Sequence, residues 1–276
     1  MKTMLNAKTA IGAALAGAFA LGALAVGYSA AQQKDEKPKA SHAKVSTSFS
    51  ETEEEEIGDI VRAYLMENPE VIIEAVEAYR VQLQLAEVDR AKTAAAQNLA
   101  LLLDPATSHV AGKNPDTAKI AVIEMYDYHC GYCKRAAPLI TDVLKKDADV
   151  KIVFRELPIL REESAYAAEM ALAARDDKKF LDFHFDMLGA SGVLTEDRVD
   201  AMAKKHGLDV AAMKKEIASG AIPDMIQANH LLAQEMGVDG TPAFIVATLD
   251  GSYVDVMIGW SEERLKDMIA EAKQAG

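Results

Sequence analysis

Two cysteines, Cys130 and Cys133, are the only ones in the 276-residue chain, and Gly131-Tyr132 separates them. Two thiols at this spacing serve either thiol–disulfide exchange or one half of a zinc site. A disulfide between them closes almost no loop, so it adds little stability through chain entropy. The pair is therefore expected to serve chemistry rather than to hold the fold together.

A zinc site built on such a pair needs four ligands, usually from a second cysteine pair or from two suitably spaced histidines. The chain has no second pair, and its six histidines show no paired ligand spacing. They are His42, His109, His129, His184, His206 and His230. His129 adjoins the pair but does not complete a site by itself. The sequence therefore argues against structural zinc and favours thiol–disulfide exchange.

The local pattern places Cys130 where a strand ends and a helix begins. Residues 119–128 read as a strand, and residues 134–146 have helical periodicity. The unpaired N–H groups and the positive end of a helix dipole stabilise a thiolate at such a junction. We expect Cys130 to be the exposed attacking thiol and Cys133, one helical turn further on, to be the more buried resolving thiol.

Three neighbours of the pair carry nitrogen groups that would favour an anionic sulfur. The His129 imidazole is one of them, and Lys134 and Arg135 are the others. For the two basic residues ordinary surface charge is the alternative, and the sequence favours it.

The segment Glu124 to Arg135, EMYDYHCGYCKR, resembles the active-site segment of the DsbA family of thioredoxin-fold proteins. In that family an acidic side chain lies six positions before the first cysteine, and Glu124 occupies this place. The resemblance implies that Glu124 is a buried acid that helps to move protons at Cys133. The alternative is a charged residue on a solvated strand face. The apolar residues Val122 and Ile123 before it favour burial.

A second motif, Gly240-Thr241-Pro242-Ala243-Phe244, supports the same resemblance. In thioredoxin-fold proteins a cis-proline preceded by a variable residue lies beside the cysteine pair and binds an extended substrate. Thr241 and Pro242 match that place in order and position. The alternative is a proline at the first residue of an edge strand. The resemblance covers about residues 104–276.

Residues 64–70, YLMENPE, lie between two helical patterns and resemble the N-terminal region of Com1-like proteins and of the suppressor-of-copper-sensitivity protein C. The resemblance implies helices that hold subunits together in a homo-oligomer, and simple packing within one chain is the alternative. Gly131-Tyr132 departs from the Pro-His dipeptide of the strongly oxidising family members. We therefore expect a weaker oxidant, for which disulfide isomerisation becomes an alternative to oxidation.

The expected fold class is α/β: a thioredoxin-like fold with a helical insertion over about 162–236, preceded by an N-terminal helical element over 51–103. Ser50 and Glu53 fit a capping box at the start of that element. Asn68-Pro69 is expected to end its first helix and to cap a second one, which extends toward residue 103. Four strands are predicted, over 119–128, 150–154, 243–246 and 253–258, and a last helix over 261–273.

Residues 1–31 combine two lysines, an uncharged apolar run and small residues at the spacing that a signal peptidase prefers. We expect a cleaved signal peptide and a periplasmic protein, with an uncleaved membrane anchor as the alternative. Residues 32–50 are polar and read as a flexible linker. The full chain has a net charge of −13, and the remainder after residue 31 carries 28 − 43 = −15. This acidity disfavours nucleic acid as a partner.

The expected reaction needs no dissociable cofactor, because the Cys130–Cys133 disulfide itself carries the electrons. The expected partners are exported polypeptides with cysteines and a membrane oxidant or reductant. A copper-handling module and a holdase remain alternatives. Thiolate and thioether ligands suit Cu(I), and the chain has 12 methionines. Their scatter over helical patterns is better explained by core packing.

Overall fold

The computed structural model describes residues 49–276, so the expected signal peptide (1–31) and nearly all of the expected linker (32–50) lie outside the described residues. Among the described residues, 49–63 belong to one unit and 64–276 to a second. The N-terminal element consists of α1 (Glu51–Glu67), α2 (Glu70–Gln97) and the short α3 (Leu99–Leu102). Over the described residues, no helix is both long and apolar enough to cross a bilayer.

One predicted helix cap in this element is confirmed, and another is wrong. The Ser50 hydroxyl and backbone N–H both donate to the Glu53 carboxylate at 2.7 Å, so the predicted capping box is confirmed. Asn68 does not cap α2 as predicted. Its side-chain amide donates to the Tyr64 carbonyl at 2.9 Å and thereby ends α1 instead. The second helix also stops at Gln97, short of the predicted residue 103.

A five-stranded sheet forms the centre of the second unit, in the order β1-β3-β2-β4-β5. The strands are β1 (His109–Gly112), β2 (Ile120–Tyr126), β3 (Val150–Glu156), β4 (Ala243–Thr248) and β5 (Val254–Ile258). The pair β2–β3 is parallel, and α4 (Gly131–Lys146), the helix predicted after the first strand, connects it. The other pairs are antiparallel. The sequence analysis missed β1, a four-residue edge strand without a strong apolar alternation.

Helices cover both faces of the sheet, which is why every residue of β2 is buried. Alternate side chains of β2 enter two different cores. Val122 and Tyr126 pack with Cys133 of α4 and with α10 (Glu262–Ala275). Ile123 and its neighbours pack on the other face with the last turns of α2 and with α9 (Ala221–Glu235). The buried centre of the sheet therefore places the end of β2 in an apolar environment.

The predicted helical insertion is confirmed between β3 and β4. It consists of α5 (Glu162–Ala173), α6 (Phe180–Gly189), α7 (Glu196–Lys205), α8 (Val210–Ala218) and α9 (Ala221–Glu235). Pro223 lies inside the first turn of α9. A proline is tolerated there since the first N–H groups of a helix have no partner within the helix.

A buried guanidinium joins the short helix α3 to the sheet. Arg155 of β3 is only 1% exposed and faces away from the cysteine pair. Its Nε donates to the Leu102 carbonyl at 2.9 Å, and its Nη2 donates to the Leu101 carbonyl. Its Nη1 donates to the Asn229 side chain of α9 at 2.5 Å. The end of α3 is thus held by hydrogen bonds that only a multivalent donor provides.

We predict that Arg155→Met destabilises the protein by about 3 kcal/mol, because it leaves several buried acceptors without a donor. The free energy of unfolding is measured by urea denaturation, with the slope m as a check on two-state behaviour. Arg90→Met is the matched control, since the Arg90 side chain on α2 is 78% exposed and lies 4.0 Å from its ion-pair partner. Equal stabilities of the two variants would contradict the anchoring role.

Candidate active site

Cys130 is the N-cap of α4, as its extended backbone (φ −75°, ψ 117°) shows. Its sulfur accepts a hydrogen bond from the backbone N–H of Cys133 at 3.4 Å. Hydrogen bonds from the thiol and the backbone of Cys133 lower the pKa of Cys130 to about 6, although burial opposes this shift. At neutral pH Cys130 is therefore a thiolate, the form that attacks a disulfide.

Cys133 lies one turn further along α4 and is fully buried. Burial raises the pKa of its thiol, and the neighbouring Cys130 and Glu124 raise it further. Cys133 therefore keeps its proton when Cys130 does not. The order of burial agrees with the prediction, but the prediction of an exposed Cys130 is wrong. Only 4% of Cys130 is accessible, because the loop before β4 covers it.

Glu124 lies on the central strand and is 1% exposed, so its predicted burial is confirmed. Its register partners are Phe154 on β3 and Phe244 on β4, and its Oε1 has no hydrogen-bond partner among the described residues. Burial and the charge of Cys130 raise the pKa of Glu124 to about 8. A carboxyl of this kind exchanges its proton near neutral pH. Its role at Cys133 stays a prediction.

The loop before β4 brings Thr241 and Pro242 to the cysteine pair. The Thr241–Pro242 peptide bond is cis. When Cys130 is protonated, its thiol donates to the Thr241 carbonyl over 3.0 Å, across 111 residues of sequence. The Pro242 carbonyl accepts from the Gly259 N–H at 2.8 Å, which ties the loop to the end of β5. The backbone of Thr241 is therefore adjacent to the attacking sulfur.

His129 does not have the role proposed for it. The Leu194 N–H donates to its Nε2 at 3.0 Å, so the ring hydrogen lies on Nδ1 and donates to the Ser164 hydroxyl at 2.9 Å. Burial lowers the pKa of the imidazole. His129 is thus a neutral link between the active-site loop and the helical insertion, rather than a cation beside the thiolate.

The side chains of Lys134 and Arg135 contact groups other than the cysteine sulfurs. The Lys134 ammonium donates to the Ala190 carbonyl, at the end of α6. The Arg135 guanidinium lies 3.9 Å from the centre of the exposed Tyr132 ring. The contact of Arg135 agrees with the surface role that the sequence favoured, whereas Lys134 is half-buried and its charge interacts with that of Cys130.

Asp127 holds the active-site loop in place, and the sequence analysis did not single it out. Its buried carboxylate accepts from the His129 N–H at 2.7 Å and from the Ser164 hydroxyl at 2.8 Å. Its second oxygen accepts from the N–H groups of Ile159 and Leu160 at 2.9 and 3.0 Å. An acidic residue between a buried strand and a helix start was the available signal.

A second group of residues missed by sequence reasoning lies behind the cysteines. The Tyr126 hydroxyl donates to the buried Glu156 carboxyl, and the Tyr128 hydroxyl lies 3.3 Å from the same oxygen. Tyr128 also lies 2.9 Å from Nδ1 of His184. The signal was a histidine inside the apolar helical stretch of α6 and an acid at the end of β3.

In the part of the chain from residue 49 onward, no group of three or more His, Cys, Asp or Glu side chains converges on a point that would hold a metal ion. The two thiols of Cys130 and Cys133 are the soft ligands that this site offers.

A CxxC pair at the start of a helix, opposite a cis-proline at the start of a strand, defines a thioredoxin-like redox domain. The family model of the DSBA-like thioredoxin domain matches residues 121–270, and the chain belongs to this family. The model of the copper resistance protein ScsC N-terminal domain matches residues 53–85.

Solved structures give the same fold. A thioredoxin-like oxidoreductase from Silicibacter pomeroyi is 34% identical, with 64% of this chain and 97% of that chain covered and a TM-score of 0.57. Salmonella enterica Typhimurium BcfH is 31% identical, with coverages of 80% and 96% and a TM-score of 0.69. The thiol-disulfide exchange protein alpha-DsbA2 from Wolbachia pipientis is 28% identical, with coverages of 67% and 97% and a TM-score of 0.59.

Curated relatives include much longer proteins. A Na(+)/H(+) antiporter NhaA 1 from Salinispora arenicola is 30% identical over 151 residues, which are 54% of this chain and 23% of that protein. The chain thus spans about a quarter of the length of the curated relatives that it matches first.

We predict that alkylation of reduced Cys130 by iodoacetamide rises with pH to a plateau with a midpoint near 6, because only the thiolate reacts. Below the midpoint the rate should fall about tenfold per pH unit. Cys133→Ala removes one hydrogen bond to the sulfur, so its midpoint should lie higher. The rate is followed by mass spectrometry of the modified protein. A midpoint at the ordinary cysteine value would contradict the proposed thiolate stabilisation.

Proposed function

We propose that the protein is a thiol–disulfide oxidoreductase that acts on exported polypeptides through Cys130 and Cys133. The observation that carries this proposal is the position of the Cys130 sulfur, at the N-cap of α4 and 3.0 Å from the Thr241 carbonyl. Membership of the DSBA-like family and the likeness to a thiol-disulfide exchange protein support it. The pair carries the electrons itself, without a dissociable cofactor.

In the oxidative direction a substrate thiolate attacks the Cys130–Cys133 disulfide. A mixed disulfide with Cys130 forms, and Cys133 leaves as a thiolate that takes up a proton. A second substrate thiolate then attacks the substrate sulfur of the mixed disulfide and releases Cys130 as a thiolate. Two electrons pass to the protein, and one S–S bond forms in the substrate. Cys130 is a good leaving group because the start of α4 stabilises its anion.

In the isomerising direction the reduced protein starts the reaction. The Cys130 thiolate attacks a wrong disulfide, and a freed substrate thiolate then resolves the mixed disulfide with a different partner. If no substrate thiol does so, Cys133 attacks Cys130 and releases the substrate. Glu124 is the acid–base group proposed for Cys133, since its pKa near 8 suits proton exchange at neutral pH.

The activity is tested with a peptide that carries two cysteines and fluoresces differently when they are joined. We predict that the oxidised protein joins them and that Cys130→Ser abolishes the reaction. When the disulfide-bonded form of the peptide is supplied instead, the Cys130 thiolate of Cys133→Ser should attack it, release one peptide thiolate and hold the other half of the peptide in a mixed disulfide, because the resolving thiol is absent. The adduct is identified by mass spectrometry. Unchanged oxidation by Cys130→Ser would refute the proposed function.

Exposed apolar residues on α2 support the proposal that several copies of the chain assemble in the periplasm. In α2 the residues Ile72, Val76, Tyr79 and Leu83 form an apolar stripe that is 44–60% exposed. A stripe of this kind at helical spacing is typical of a helix–helix interface. The match of residues 53–85 to the ScsC N-terminal domain supports this reading. We propose a homo-oligomer whose active sites act on one substrate, together with a membrane redox partner.

We predict that Ile72→Glu combined with Val76→Glu breaks the oligomer, because charges in an apolar interface are costly. Light scattering after size exclusion measures the mass. Glu74→Gln combined with Glu77→Gln, on the same helix but outside the stripe, is the matched control. Recovery of active ribonuclease from its scrambled form should fall in the stripe variant, while oxidation of the peptide persists. An unchanged mass in the stripe variant would contradict the proposed interface.

Copper handling is a second candidate, favoured by the name of the N-terminal family that matches residues 53–85. Thiolate sulfur suits Cu(I), and the reduced pair supplies two such ligands. If the protein is a copper module, the double variant Cys130→Ser, Cys133→Ser loses Cu(I) binding. The natural protein would then bind Cu(I) but would not oxidise the peptide. A holdase, in contrast, would keep its activity in the same double variant.

A further inference from the structure

The strand β1 lies at one end of the sheet and pairs with a neighbour on one side only, where β3 lies. On its other side, the backbone groups of residues 109–112 have no hydrogen-bond partner among the described residues. Alternate residues of an edge strand direct their N–H and C=O groups outward. The outer side of β1 is therefore an open edge with which one further strand could pair.

A cavity of about 1070 Å³ lies against this edge, and we call it the β1 groove. Residues 110–112 of β1 form one wall. Leu144 of α4 and Leu181 and Phe185 of α6 add apolar side chains, each of them half-buried. An added strand would thus find both backbone partners and apolar surface to cover.

Three lysines, one from each of three helical segments, line the β1 groove, although the chain as a whole has a net charge of −13. They are Lys145 at the end of α4, Lys178 before α6 and Lys205 at the end of α7. Over the part of the chain that the structure describes, Lys145 and Lys178 form no salt bridge, and both are exposed. The groove therefore presents cations that are free to bind an anionic group.

The carboxylates at the β1 groove already have partners. Asp182 lies 3.7 Å from the Lys179 ammonium. Asp186 lies 2.8 Å from Lys205 and 2.9 Å from Nε2 of His206. The charge that remains at the groove is therefore positive, in a protein that is acidic elsewhere.

We propose that the β1 groove binds an acidic, extended segment of a partner protein, which pairs with β1 as a sixth strand. A second copy of this chain is a poorer fit, because a two-fold axis at β1 would bring the same lysines together. The site goes beyond the proposed function. Lys145 lies in the last turn of α4, about 22 Å along the helix from Cys130 at 1.5 Å per residue.

The two faces of the sheet indicate which side chains the segment carries. Ala111 packs into the core that contains α4 and α6, and Val110 packs on the opposite face. On the side of α4 and α6, a Glu side chain of the segment would cover Phe185 with its methylene groups and direct its carboxylate to Lys145 or Lys178. On the side of Val110, an apolar side chain fits. The expected segment alternates acidic and apolar residues, and the short strand predicts a transient complex.

The first experiment uses the natural full chain and a fluorescein-labelled peptide in which Glu and Val alternate three times. Fluorescence anisotropy should show saturable binding, and the same peptide with Lys in place of Glu should not bind. Two further peptides carry N-methyl groups on all Glu or on all Val residues. At least one of them should bind about tenfold more weakly, because N-methylation removes the N–H groups that face β1. Undiminished binding of both would overturn the inference.

The second experiment compares single charge reversals. Lys145→Glu and Lys178→Glu should each weaken binding of the Glu-Val peptide about fivefold, because a contacting pair of opposite charges becomes a pair of like charges. Lys215→Glu is the matched control, with the same change in net charge on an exposed residue of α8. Its affinity should stay within about twofold, and all three variants should oxidise the dithiol peptide like the natural protein. Equal affinities of the three variants would refute the site.

Two other results would also refute it. Lysines beside a short edge strand also protect a sheet from unwanted pairing, and that role alone predicts no binding of the Glu-Val peptide even at about 1 mM. An anionic membrane is the other occupant to test, with vesicles of phosphatidylglycerol. If the protein sediments with the vesicles, Lys145→Glu releases it and the peptide does not bind, the groove is a membrane contact and the inference fails.

Discussion

Negative charge on the Cys130 sulfur is the constraint around which the second unit is arranged. A thiolate inside an apolar core is costly, and the start of α4 meets this cost with N–H groups directed at the sulfur. The helix can begin there only because β2 ends four residues earlier, in the centre of the sheet. The same burial that makes the thiolate costly also raises the pKa of Glu124 and of Cys133. The pKa of Cys130 is thus lowered and that of Cys133 raised within the same apolar environment.

The active-site loop keeps its shape because groups from outside it bind its side chains. Asp127 receives N–H groups from the segment after β3, and His129 is held between Ser164 and Leu194 of the helical insertion. The insertion is therefore part of the redox centre rather than an independent lid. The insertion holds the loop at two points, Ser164 of α5 and Leu194 of the segment before α7, so a shift of α5 would move the backbone that leads to Cys130.

The two ends of α2 differ in what they contact within the second unit. The first turns of α2 display apolar side chains to solvent, whereas its last turns pack on the sheet through Ala91 and Ala95. Lys92 pairs with the buried Asp255 of β5 at 2.8 Å, and Arg155 binds the end of α3. Packing thus crosses the expected boundary between residues 103 and 104. The stripe available for a second copy lies on a helix that is anchored at one end to the redox domain.

The cysteine pair, its place between a strand and a helix, and the helical insertion could be predicted from the sequence, because spacing and periodicity are local properties. Which side chains act on the pair depends on contacts between distant elements. The contact of Cys130 with Thr241 spans 111 residues. Asp127, Tyr128 and Glu156 acquire their roles through partners on other elements. Burial, which shifts each acidity, depends on the complete sheet and its helices, and no local pattern encodes it.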